Sequence, residues 1–134
     1  MIYETRLTIP HNTPETSPLT VTLPLHPGVV NQFDLYFPPG CVGLVHARVY
    51  TWARQIFPSN PDSDFCGNDL LIHFPEAMEL VDPPYAFVLL GWNLDDKFDH
   101  TVTLRVGITP FDKTLAYLLG ALSMGAQGAI TYVE

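Results

Sequence analysis

His100-Thr101-Val102-Thr103-Leu104-Arg105-Val106-Gly107-Ile108 alternates apolar and polar side chains without a break. A period of two puts Val102, Leu104, Val106 and Ile108 on one side of an extended chain, the pattern of a strand with one buried face. The same period recurs toward the N-terminus. Residues 85–92 and 70–74 are strand-like, separated by an acidic loop that holds Glu76, Glu79, Asp82 and Pro83-Pro84. A long run over 42–52 places Val45, Ala47 and Val49 on one face and Leu44, His46, Arg48, Tyr50 and Trp52 on the other, so both faces read as partly covered. Val29, Phe33, Leu35 and Phe37 alternate with polar residues over 29–37. Leu19, Val21, Leu23 and Leu25 form a further run whose internal Pro24 cannot donate to a ladder, which predicts an edge strand. Over 2–9, Tyr3, Thr5, Leu7 and Ile9 share a face.

These are seven strands, and Ala129-Ile130-Thr131-Tyr132-Val133 offers an eighth. Thirteen prolines punctuate the chain between them. Short strands with a turn signal at each boundary specify an all-β fold, a single antiparallel β-sandwich of about eight strands. Eight strands in two packed sheets suit a jelly-roll-like arrangement; an immunoglobulin-like topology shares the pattern.

The segment after the last strand reads differently. Thr109 at N-cap, Pro110 at the first helical position and Asp112 in the first turn are helix-start chemistry. Leu115, Leu118, Leu119 and Leu122 then recur at i, i+3, i+4 and i+7. Its other side carries Ala116, Tyr117, Gly120, Ala121 and Met124, so the predicted helix has no polar face and must be covered. The expected organisation is a β-sandwich over 1–109 and a short apolar C-terminal helix or arm over 110–134. That arm packs on the sandwich or on a neighbouring subunit, with the four leucines as the candidate subunit interface.

The 134 residues suffice for one domain with its own core. Formal net charge is −8, with a balance of −2 over residues 1–67 and −6 over the remainder. No basic stripe exists to replace phosphate counterions, which excludes nucleic acid as a partner. The longest apolar run, near 115–122, is too short for a membrane span. Met1-Ile2-Tyr3-Glu4 leads straight into strand-like sequence, so no signal peptide is visible. Only 15% of residues are charged, a first hint that part of the surface is covered by another subunit. Cys41 and Cys66 are the only cysteines; they make either one bridge or two separately buried thiols.

No catalytic motif stands out. Gly40-Cys41-Val42-Gly43 lacks the pattern and the strand-to-helix context of a nucleophile turn. The histidines at 11, 26, 46, 73 and 100 share no H-x-H or H-x₃-H spacing, so there is no zinc signature. The densest polar cluster runs from Asn93 to His100, and Asn93, Asp95 and Asp99 are oxygen ligands of the kind calcium takes. Lys97 at a ligand position and the missing central glycine separate it from an EF-hand, and Asx residues also build ordinary turns. Asp62, Asp64, Asn68 and Asp69 are a weaker candidate of the same kind. No other cofactor is expected.

Two segments, Phe37-Pro38-Pro39-Gly40-Cys41-Val42-Gly43-Leu44-Val45-His46 and Gly91-Trp92-Asn93-Leu94-Asp95-Asp96 with Asp99-His100, resemble small structural proteins of phage or phage-like virions. The resemblance leaves out the apolar C-terminus. It implies a virion component, such as a capsid decoration (cement) or accessory protein, found in the virion or another extracellular particle after assembly. Together with the low charge, it predicts a non-enzymatic, self-associating structural protein whose partners are its own copies or other shell proteins. The alternative is a calcium-assisted carbohydrate-binding β-sandwich.

Overall fold

Burial of the alternating faces organises the chain. In the computed structural model, which describes residues 1–111, nine strands follow in order: β1 (Ile2–Ile9), β2 (Leu19–Pro24), β3 (Gly28–Phe37), β4 (Val45–Thr51), β5 (Arg54–Phe57), β6 (Phe65–Cys66), β7 (Leu70–Leu80), β8 (Ala86–Asn93) and β9 (His100–Pro110). They form two antiparallel sheets, one ordered β1-β9-β3-β7 and the other β2-β8-β4-β5, with β6 also on β4. Pairing runs first strand with last, second with next to last, and so inward: β1 with β9, β2 with β8, β3 with β7, β4 with β5. β5 and β6 lie on the same edge of β4 and continue one another, Phe57 opposite Val49 and then Phe65 opposite Ala47. They are one strand interrupted by residues 58–64.

The core lies between the sheets. Val102, Leu104, Val106 and Ile108 are all fully buried, as the alternation in β9 requires, and they meet Val45, Ala47, Val49 and Leu89 from the other sheet. At its centre Phe33 packs on Phe57 and Phe74 at 4.6 and 5.0 Å between ring centroids. Each such pair adds about 0.5–1.5 kcal/mol beyond its buried area.

Five elements depart from expectation. In β3 the register shifts between Val30 and Gln32, so Asn31 bulges and the alternation changes sides. Val30 is therefore the buried residue, and Val29 is only half-buried. A Cβ on Gly107, opposite the bulge, would lie 2.5 Å from Asn31 Oδ1 and 3.0 Å from Gln32 Cβ, so a larger residue there would make the Asn31 side chain shift.

Next, β7 does not stop at Phe74 but runs through the predicted acidic loop to Leu80. It is an edge strand, where Pro75 and the exposed Glu79 are tolerated and discourage further pairing. The short β5, Arg54-Gln55-Ile56-Phe57, falls in none of the alternating runs, and β6 lies within the turn-rich stretch that follows Pro58. Finally, Thr109 and Pro110, predicted to start a helix, complete β9, and Pro110 pairs with Gly28. Tertiary pairing overrides the local capping signal there. β9 therefore ends at Pro110. The predicted helix with Leu115, Leu118, Leu119 and Leu122, and the strand at 129–133, lie outside the described residues. Among the described residues no helix is long and apolar enough to cross a membrane.

Candidate functional site

The segments over 37–46 and 91–100 meet at one end of the sandwich. Val45 pairs with Asn93, and the Leu94 amide donates to the Leu44 carbonyl at 2.9 Å. Two further loops join them: Asn12 and Thr13 amides donate to Asp95 and Asn93 carbonyls at 2.8 and 2.9 Å, and the Asp69 amide donates to Pro38.

Buried polar side chains lock this end. Asn93 has no exposed surface; its amide nitrogen donates to the Ile9 and Phe98 carbonyls, both at 3.0 Å, and its oxygen accepts from the Asp95 amide at 2.9 Å. Asp95 accepts from the Lys97 and Phe98 amides through one oxygen and faces His100 Nε2 at 2.8 Å through the other. The His100 hydrogen bond, with the Lys97 amide next, holds the Asp95 carboxyl below its ordinary range against the opposing pull of desolvation. Asp99 turns elsewhere, accepting from the His11 amide at 2.9 Å, and that contact lowers its pKa too. Of the three calcium candidates, then, Asn93 and Asp95 are brought together and Asp99 is not. Their oxygens serve the turn itself.

The weaker acidic candidate is also dispersed. Asn68 Oδ1 accepts from the Gly40 and Val42 amides at 2.9 and 3.0 Å, Asp69 accepts from Tyr36, and Asp64 contacts His46.

Among the exposed Asp96, Lys97 and Asp99, these locked loops also hold large apolar side chains out to solvent. Val42 is 71% exposed, Phe98 64% and Leu94 51%, with Leu44 beside them. Val42 stands at φ 51°, a left-handed conformation that costs a β-branched residue about 1–3 kcal/mol. The Asn68 clamp holds it there.

The opposite end carries a cleft lined by Trp52, Arg54, Met78, Glu79, Val81 and Asp82. Trp52, in the hairpin between β4 and β5, also has positive φ (58°) and is 64% exposed.

A third feature lies on the outer face of the sheet that contains β4. His46 and Cys66 are register partners on β4 and β6, and Asp64 stands two residues before Cys66, so all three point to one side. His46 Nδ1 contacts the Asp64 carboxylate, and one donor atom from each of the three residues lies within 4.8 Å of the other two. Trp92 stacks on His46 at 5.2 Å with the rings 2° from parallel, and Arg48 sits 5.1 Å from the centre of the Trp92 ring. Both thiols of the chain are free: Cys41 is buried but Cys66 is exposed, so the expectation of two buried thiols holds for Cys41 alone. Burial pushes the Cys41 thiol up, and the charge of Asp95 adds to this, which leaves Cys41 a poor nucleophile. The accessible thiol beside a histidine is the other one.

Four of the five histidines contact an aspartate: His11 with Asp99, His46 with Asp64, His73 with Asp34 and His100 with Asp95. Three of these pairs join separate elements, which is why no spacing motif shows them. His46 with Cys66 had no local signal at all. Only the pairing of β4 with β6 makes it visible. No family model, no curated protein and no solved structure matches this chain, so its function rests on its own residues.

Proposed function

We propose that this protein is a non-enzymatic, self-associating structural subunit, of the kind that decorates a virion shell or builds another particle or filament. The observation that carries the reading is the end patch of Val42, Leu44, Leu94 and Phe98: apolar side chains held out to solvent on loops that buried polar groups make rigid. A rigid display of apolar groups lowers the ordering cost of association, and a monomer gains nothing from it. The nested pairing of strands, first with last and inward, supports a jelly-roll reading once β5 and β6 are counted as one strand. Capsid domains commonly use that architecture. The other end, where β9 stops at Pro110, carries the Trp52 cleft instead. Unlike surfaces at the two ends suit head-to-tail association into a ring or filament.

Sedimentation of the full chain over a range of concentrations tests this, with Leu94→Asp/Phe98→Asp as the surface variant. The expected result is concentration-dependent assembly of the wild type, weakened at least tenfold in the variant. A wild type that stays monomeric at high concentration and binds no shell or filament sinks the proposal. Deleting residues 115–134 separates the two contact elements: loss of assembly with the sandwich still folded assigns that segment to the contact.

A second reading, a carbohydrate-binding module, is favoured by Trp52, an exposed aromatic face beside Glu79 and Asp82. Glycan-array binding that disappears in Trp52→Ala supports it. Binding insensitive to chelator would remove calcium from it.

A further inference from the structure

We infer that His46, Asp64 and Cys66 form a site for a single zinc ion that fastens β6 to the sheet. The three side chains supply one imidazole nitrogen, one carboxylate oxygen and one thiolate sulfur, and a donor atom of each lies within 4.8 Å of the others. Tetrahedral zinc at ordinary bond lengths needs donors about 3.4–3.6 Å apart, so rotation of the side chains about their own bonds closes the site. The donor set selects the metal. Calcium and magnesium want oxygen alone, whereas a mixed sulfur, nitrogen and oxygen set suits borderline zinc.

The backbone places these donors without strain. His46 and Cys66 are opposite one another in the β4–β6 ladder, and Asp64 and Cys66 are two apart on one extended segment, so a single face carries all three. Trp92, itself buried, fixes the plane of the His46 ring by stacking. Arg48, two residues along β4 from His46, is occupied by Glu15 Oε1 at 3.3 Å and the Asp62 carbonyl at 3.2 Å. In the metal-free arrangement a proton lies between His46 Nδ1 and Asp64; on zinc binding it passes through solvent so that the neutral imidazole carries its proton on Nε2 and Nδ1 takes the ion. Cys66 loses its thiol proton to solvent, and a water completes the tetrahedron.

The fold also gives the ion something to do. β6 has only two residues, Phe65 and Cys66, and follows the 58–64 interruption. So short a strand gains little from pairing alone. An ion bridging Asp64 and Cys66 to His46 ties the end of the interruption to the central strand β4. Phe65, between the two ligands in sequence, packs against the core from the same segment, so the ion also steadies a core contact. An exposed thiol otherwise contributes no packing and invites oxidation.

Calorimetric titration of zinc chloride into the metal-stripped full chain tests the site. One equivalent should bind, and Cys66→Ala and Asp64→Asn should each bind at least tenfold more weakly. Cys66 is exposed, so its variant should keep the wild-type circular dichroism spectrum. Cobalt is the spectroscopic probe: a thiolate-to-cobalt charge-transfer band should appear in the wild type and in Cys41→Ala, and be absent in Cys66→Ala. Zinc should raise the melting temperature of the wild type and leave that of Cys66→Ala unchanged. The inference fails if the wild type binds zinc no more tightly than Cys66→Ala, or if the cobalt complex lacks the thiolate band.

Discussion

At one end of the sandwich, buried polar side chains tie four loops together and apolar side chains face solvent; at the other, the Trp52 hairpin and the turn over 81–85 border an open cleft. Each end also holds one bulky residue at positive φ, Val42 at 51° and Trp52 at 58°. The difference lies in what holds it. Val42 is clamped by Asn68 and backed by the Asn93–Asp95–His100 network, whereas Trp52 sits in a two-residue hairpin between strands. Strain persists where the surroundings over-determine it, and the clamped end invests far more in doing so. A rigid apolar end suits a fixed partner surface. The cleft suits a ligand that enters it.

Removing the lock should have the largest effect. Asn93→Ala strips three hydrogen bonds and leaves the Ile9 and Phe98 carbonyls and the Asp95 amide without their partner, so a loss of about 3 kcal/mol is expected in urea unfolding. A loss below about 1 kcal/mol would mean that this end is not held by Asn93. Trp52→Ala at the other end should cost less than about 1 kcal/mol, since the ring is mostly exposed.

Acid should loosen the locked end first. Asp95 and Asp99 both have carboxyl pKa values lowered in the folded state, so their contribution is present in full above the ordinary carboxylate value near pH 4 and is lost as pH falls through the lower folded values. The wild type should therefore lose stability below about pH 4 more steeply than Asp95→Asn, measured by unfolding at a series of pH values. Parallel curves for the two proteins would remove Asp95 from this account.

The smallest expected effects are the most discriminating. Val42→Gly and Trp52→Gly each relieve a left-handed φ and should change stability by no more than about 1 kcal/mol. Val42→Gly should weaken self-association, read by sedimentation, while Trp52→Gly leaves it unchanged. Equal weakening by both would erase the distinction between the ends.

Much of this architecture is legible in the chain because the alternation is local. The inward faces of β1, β4 and β9 read directly, as did the edge position of β2 from Pro24. β3 misled at Val29 because a bulge adds one residue that no side-chain pattern announces. The same limit hid the extent of β7, whose Pro75 and glutamates are loop residues by composition and edge-strand residues by position. Of the calcium candidates, the sequence identified the polar cluster but not its hydrogen-bond partners, since His11 and Ile9 come from β1 and the loop after it.

By itself, then, the sequence determined two packed sheets, the residues between them and the low, acidic charge, because period-two burial and composition are properties of neighbouring residues. The tertiary structure alone decided which strands pair, which loops share an end, and that Cys66 stands opposite His46. Those depend on contacts between residues far apart in the chain, and nothing in a local pattern encodes which distant strand a given edge will meet.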